Sequence, residues 1–387
     1  MIPSSTQFAA LLGRLPPGRS KGFNLVEIMV AIAIGLLMML ALVTLFVNVT
    51  QTNKEMANTN SQIENARFAM QLLESDVQHA GFWGTHLPEF EDLTLTSAPS
   101  DAPSAVPSIC LPYDNVTWDD GYKNELIGIP VQTYDVVPPG CGAVVVNKKL
   151  QTDVLVVRHA ETCVTGVGTC EAEVAGRLYF QSRLCGDVIE DTVPYILSHQ
   201  NFDLHKKDCT ALADKRRFIS HIYYIRDYAQ TAGDGIPTLV RSQFDLSGGT
   251  PAHQAPLALV EGIEGFRVEL GVDSLSESGE GIDYTSGVEW ADPENWNTAT
   301  NRGDGIPDDD YVHCDAVTPC TADTLSNVVA VKLYVLARSS TPTLGYTDTK
   351  TYALGEQVLG PFNDNFKRHV FTTTVRLVNK AGRRETP

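Results

Sequence analysis

The sequence predicts an α+β protein. A long N-terminal α-helix, membrane-spanning in its first half and amphipathic in its second, packs on a mainly antiparallel β-sheet head with long, disulfide-stapled loops. Three observations carry this. Residues 28–47 are a run of 20 without charge or proline, roughly 30 Å as a helix and enough to cross a bilayer. Apolar residues then recur at steps of three and four from Ile63 to Ala80, the signature of an amphipathic helix. Beyond Gly81 the period falls to two, and all eight cysteines follow the apolar run.

With 387 residues, 43% of them hydrophobic, the chain buries a real core as one large domain or two smaller ones. A net charge of −18 excludes a phosphate-binding surface, which needs clustered Lys and Arg, so no nucleic-acid partner is expected. Cys110, Cys141, Cys163, Cys170, Cys185, Cys209, Cys314 and Cys320 are even in number, and none has C-x-x-C spacing. Four disulfides formed in an oxidising compartment are the favoured reading; small buried thiols are the alternative. The short gaps from Cys163 to Cys170 and Cys314 to Cys320 predict local staples, and the remaining pairing stays open.

At the N-terminus, Arg14, Arg19 and Lys21 precede the apolar run and predict that this end stays cytoplasmic. The run is too long for a secretory signal, and no A-x-A site follows it. A plain membrane anchor leaves Glu27 unexplained, since a carboxylate in hydrocarbon costs about 2.5–3.5 kcal/mol even on lenient scales.

The stretch Gly22-Phe23-Asn24-Leu25-Val26-Glu27 resembles the type III prepilin signal of type IV pilins and type II secretion pseudopilins. That resemblance implies cleavage between Gly22 and Phe23 by a prepilin peptidase and N-methylation of Phe23. It also implies that Glu27 pairs with the terminal amine of a neighbouring subunit, setting the register of assembly. The chemistry is coherent: a freed α-amino group has a pKa near 8 and is largely cationic. A carboxylate one turn away also complements the helix dipole. Asn24 stands where the family commonly has Thr or Ser.

In the second half of the helix, Ile63, Ala66, Met70, Leu73, Val77 and Ala80 form the apolar stripe, with Asn60, Gln62, Glu64, Gln71, Glu74 and Gln78 on the other faces. Gly81 is a natural stop, so residues 23–80 are predicted as one helix of roughly 85 Å. Residues 153–160, 221–227, 238–243, 265–273, 327–339 and 369–379 read as strands. Val329, Val331, Leu333 and Val335 share one face of the fifth. Phe371, Thr373, Val375 and Leu377 share one face of the last. The segment AGDGIP at 232–237 has hairpin-turn chemistry. Long loops are expected over 85–150 and 274–326, and one face of the sheet is expected to lie on the amphipathic half-helix.

The run ENARFAMQLLESDVQHAGFWG at 64–84, with GIEGFRVELGVD, NVVAVKLYVLARS and RHVFTTTVRLVN in that order, resembles PilW-type minor pilins. The pilin-like fold this implies divides the chain into a leader (1–22), a transmembrane and fibre-core half-helix (23–50), an amphipathic half-helix (51–81) and a head (82–387). The implied role is that of a minor subunit priming assembly of a type IV pilus near its tip. Its expected partners are the prepilin peptidase, other minor and major pilins, a pilus-tip adhesin and inner-membrane lipid. The head is expected in the periplasm before assembly and at the cell surface after it. Two alternatives are a large type II secretion pseudopilin and a tip adhesin binding through the acidic loop 274–315.

Residues 273–315 hold twelve acidic side chains against one base, Arg302. Within them, Asp304, Asp308, Asp309 and Asp310 are calcium candidates, because Ca²⁺ takes six to eight oxygens around a tight glycine turn. Thr300 and Arg302 occupy positions where such loops carry acids, so a solvated acidic loop is favoured. His199, Asp203, His205 and Cys209 match no zinc spacing, and no G-x-S-x-G, H-E-x-x-H or phosphate-binding glycine loop is present. No enzyme activity, metal or cofactor is expected.

Overall fold

The computed structural model describes residues 22–186 and 193–385. Arg14, Arg19, Lys21 and the rest of the expected leader before Gly22 lie outside them. The chain divides into two compact units, 1–56 and 57–387, so the amphipathic half of the N-terminal helix groups with the head. That helix, α1, runs Leu25–His79. It ends where Gly81 takes φ +73°, a conformation free of Cβ strain only in glycine, and the Gly81 N–H donates to the Arg158 carbonyl at 3.1 Å.

The head holds two main sheets in which every strand pairing is antiparallel. The larger comprises β1 (Val131–Tyr134), β2 (Val154–Ala160), β3 (Tyr179–Ser182), β4 (Tyr195–Ser198), β5 (Lys215–Arg226), β6 (Thr238–Ser247), β7 (Thr250–His253) and β8 (Leu257–Glu261). Its order is β1-β2-β5-β3-β4, with β6 joining β5 to β7 and β8. The smaller sheet is built of β9 (Ile263–Val272), β10 (Val328–Arg338) and β13 (Arg368–Arg376), with β10 central. A hairpin of β11 (Tyr352–Leu354) and β12 (Gln357–Leu359), and three short helices, α2 (Asp120–Gly128), α3 (Ala322–Ser326) and α4 (Val378–Arg384), complete it.

The expected stripe is the keel of the core. Ala66, Ala69, Met70, Leu73 and Val77 are buried against Leu155, Val157 and Tyr223 of the larger sheet and Val268, Val331 and Val335 of the smaller. Each fully buried Leu, Met or Val side chain contributes about 1.5–3 kcal/mol. The helix therefore meets two sheets rather than the single sheet expected.

Two further expectations need correction. Gln62, placed on a polar face by its chemistry, is buried; its Nε2 donates to the Ala337 carbonyl at 2.6 Å and to the Lys367 carbonyl at 3.3 Å. The apolar face of β10 is interrupted by a register shift between Val328 and Ala330. Val328, not Val329, consequently joins Val331, Leu333 and Val335 in the main core, as a bulge re-aims side chains. The opposite face of β10 is buried too, Tyr334 and Leu336 packing under Tyr352, Leu354 and Leu359 of the hairpin.

The expected loop 85–150 contains α2 and β1, and the expected last strand turns into α4 after Arg376. The cysteines pair as Cys110–Cys141, Cys163–Cys170, Cys185–Cys209 and Cys314–Cys320, including both predicted local staples.

Candidate functional site

The first turn of α1 is built around Glu27. Asn24 is the residue before the helix, and its backbone N–H donates to Glu27 Oε2 at 3.0 Å. The Asn24 side-chain oxygen accepts from the Val26 N–H at 3.5 Å. This is a reciprocal capping box, in which a carboxylate three positions into the helix satisfies a donor that the helix leaves orphaned. The substitution of Asn for the family's usual Thr or Ser keeps that role, since Asn is among the best N-cap residues. The carboxylate thus lies in the turn that presents the positive end of the helix dipole, next to the Gly22–Phe23 bond.

From Phe23 to Val49 the described side chains are exposed, Phe23 at 82%, and the apolar character runs around the whole circumference. A helix hydrophobic on every side is stable only when lipid or other chains cover it. Its one internal hydroxyl, Thr44 Oγ1, donates back to the Leu40 carbonyl at 2.5 Å. That hydroxyl is thereby satisfied within the segment, as hydrocarbon requires. By length and composition this helix can cross a membrane. At Gly22, an added Cβ would meet nothing within 4 Å.

The acidic loop is more structured than its composition suggests. Asp273 is fully buried against Arg384, Oδ2 to Nη1 at 3.0 Å, and accepts from the Gly305 N–H at 2.9 Å. Arg302, the lone base, is buried and donates to the carbonyls of Asn301 and Ser286, so it frames the loop from inside. Asp308 accepts from the Ser274 and Leu275 N–H groups at 2.6 and 2.7 Å, and Asp304 from that of Ile306 at 2.9 Å. Asp309 and Asp310 are exposed. Cys209 is bonded to Cys185, which removes the thiolate from the His199, Asp203, His205 grouping.

One cluster escaped the sequence reading. Asp76 of α1 lies between His159 of β2 and His221 of β5, at 3.2 and 2.9 Å. The two histidines are separated by 83 and 145 positions from Asp76, so no local spacing announces them.

Residues 222–379 match the model of the PilW family, type IV pilus-assembly protein W. The matched region runs from β5 into α4 and includes all three strands of the smaller sheet. Among solved structures, a type IV-like pilin from Thermus thermophilus aligns at 13% identity over 82% of this chain and 97% of its own, with a TM-score of 0.29. No curated protein matches the chain. The resemblance to PilW thus extends over residues 222–379.

Proposed function

We propose that this chain is a minor pilin that primes or joins assembly of a type IV pilus with other minor pilins near the fibre tip. The supporting observation is the first turn of α1: a carboxylate held at the positive end of an otherwise apolar, uncovered helix, one turn from a Gly–Phe bond. Cleavage of that bond by a prepilin peptidase frees an amine at Phe23, which N-methylation leaves basic. In the membrane the half-helix is covered by lipid; in the fibre, by the equivalent helices of neighbouring subunits. Glu27 then attracts a neighbour's terminal amine, and because charge in hydrocarbon is costly when unpaired, only the register that pairs them is favoured. The head, in the periplasm before assembly and at the cell surface afterwards, contacts other minor pilins. Its work is mechanical and associative rather than enzymatic.

Mass spectrometry of the mature N-terminus tests the processing step: a chain beginning at methylated Phe23 is expected, and a chain beginning upstream of it rejects the assignment. Glu27→Ala tests register separately. It is expected to insert and be cleaved as the native chain is, yet to support few pili; undiminished piliation removes the register role while leaving processing intact.

A further inference from the structure

The Asp76 cluster has an electrostatic gap that one ion fills. His159 Nδ1 lies 2.8 Å from the Ala160 carbonyl. A carbonyl only accepts, so Nδ1 carries the ring's proton. In a neutral His159 the other nitrogen, Nε2, is then a bare lone pair, and it faces Asp76 Oδ1 at 3.2 Å. Two acceptors at that distance repel unless a cation lies between them. His221 presents Nδ1 to the second carboxylate oxygen at 2.9 Å. One donor atom from each of the three residues lies within 4.8 Å of the others.

We propose that Asp76, His159 and His221 form a zinc site that clasps α1 to the larger sheet of the head. The donor set, two imidazoles and one carboxylate, suits zinc, whereas calcium and magnesium demand oxygen shells. Tetrahedral coordination at about 2.0–2.1 Å separates neighbouring ligand atoms by about 3.3 Å, close to the two observed distances, so modest side-chain shifts admit the ion.

Two features of the setting support the site. The Ala160 carbonyl fixes the His159 tautomer with Nε2 free, the outer-shell arrangement typical of zinc-bound histidine. The three side chains keep about a tenth of their surface exposed, which gives the ion an entry. His79, one turn beyond Asp76, lies with its ring 5.6 Å from that of His159. The alternative cation is a proton, which would make His159 an imidazolium paired with Asp76.

Zinc chloride titrated into the detergent-solubilised full-length chain, stripped beforehand with chelator, separates the two. The site predicts saturable binding of one zinc per chain, a rise in the melting temperature of the head, and visible d–d absorption of four-coordinate type with cobalt(II). His159→Gln and His221→Gln should each weaken zinc binding by about 100-fold or more, beyond the usual loss for an outer-shell residue. If neither variant folds, zinc should protect His159 and His221 of the native chain from diethyl pyrocarbonate, read by peptide mass spectrometry. Absence of saturable binding to the folded native chain overturns the proposal. So does unchanged affinity in a folded His159→Gln chain, or modification of both histidines regardless of zinc.

Discussion

Arg368 and Asp348 form a fully buried ion pair, Nη1 to Oδ2 at 2.8 Å, with 1% and 0% of their side chains exposed. The same guanidinium reaches Glu264 of β9 at 2.5 Å and Asp364 at 2.6 Å, and stacks 3.8 Å from the Phe362 ring. Tyr352 and Tyr346 donate their hydroxyls to Asp348 at 2.9 and 3.0 Å. One cation at the start of β13 thus organises carboxylates from β9 and two connecting segments, fixing the edge of the smaller sheet to the hairpin beside it.

Arg368→Met should therefore destabilise the head by about 3–5 kcal/mol, because removing one partner strands buried charge rather than merely deleting an attraction. Urea unfolding of purified protein measures it. A loss under about 1 kcal/mol would mean that the carboxylates are solvated or protonated at little cost.

The keel of α1 should respond to truncation by face. Leu73→Ala, at a fully buried position, is expected to lose about 2–5 kcal/mol. Phe68→Ser, on the half-exposed flank of the same helix, should stay within about 0.5 kcal/mol. Equal losses in thermal unfolding would show that Phe68 packs as tightly as Leu73.

Disulfide removal should scale with the loop each bond closes. Cys110 and Cys141 are 31 residues apart, Cys314 and Cys320 only 6. On the chain-entropy view, replacing the first pair by alanine costs about 4 kcal/mol and the second about 2 kcal/mol. Denaturation midpoints of the two double variants should fall in that order; the reverse order would place the larger contribution in the local staple.

Stability should fall in mild acid. Burial first, with Arg158 and His221 adding to it, pushes His253 from its ordinary 6.5 down to about 3. Burial and then Arg383 push His86 down to about 4. Both folded-state values are depressed, so the unfolded chain takes up these protons first. The contribution of the neutral rings is full above about pH 6.5 and is lost as pH falls to about 4 for His86 and about 3 for His253. Urea titrations at pH 7, 5 and 3.5 should show this limb, and His253→Asn should flatten it. A slope unchanged by that substitution would assign the acid limb to other groups.

Much of this architecture is written locally. The stripe from Ala66 to Ala80, the stop at Gly81 and the long strands β2, β6, β9 and β10 are legible from apolar periodicity and β-branched content, although β2 and β10 are buried on both faces. Short strands such as β3, β4 and β7 have four residues apiece, too few to show a period. Gln62 reads as a polar-face residue because its amide is polar until carbonyls of Ala337 in β10 and of Lys367, just before β13, meet it. Asp76, His159 and His221 lie on three elements brought together only by tertiary packing, while the Asn24–Glu27 box lies within a single turn and was half legible from the glutamate alone.

The glycine at position 22 has a consequence of its own. No described atom crowds the place where a methyl group would go, so no contact in the folded polypeptide demands glycine there. An alanine at that point should leave melting curves untouched while the precursor accumulates. On the processing proposed above, the demand for glycine would reside in the groove of the peptidase, and this chain would carry it as an address rather than as part of its architecture.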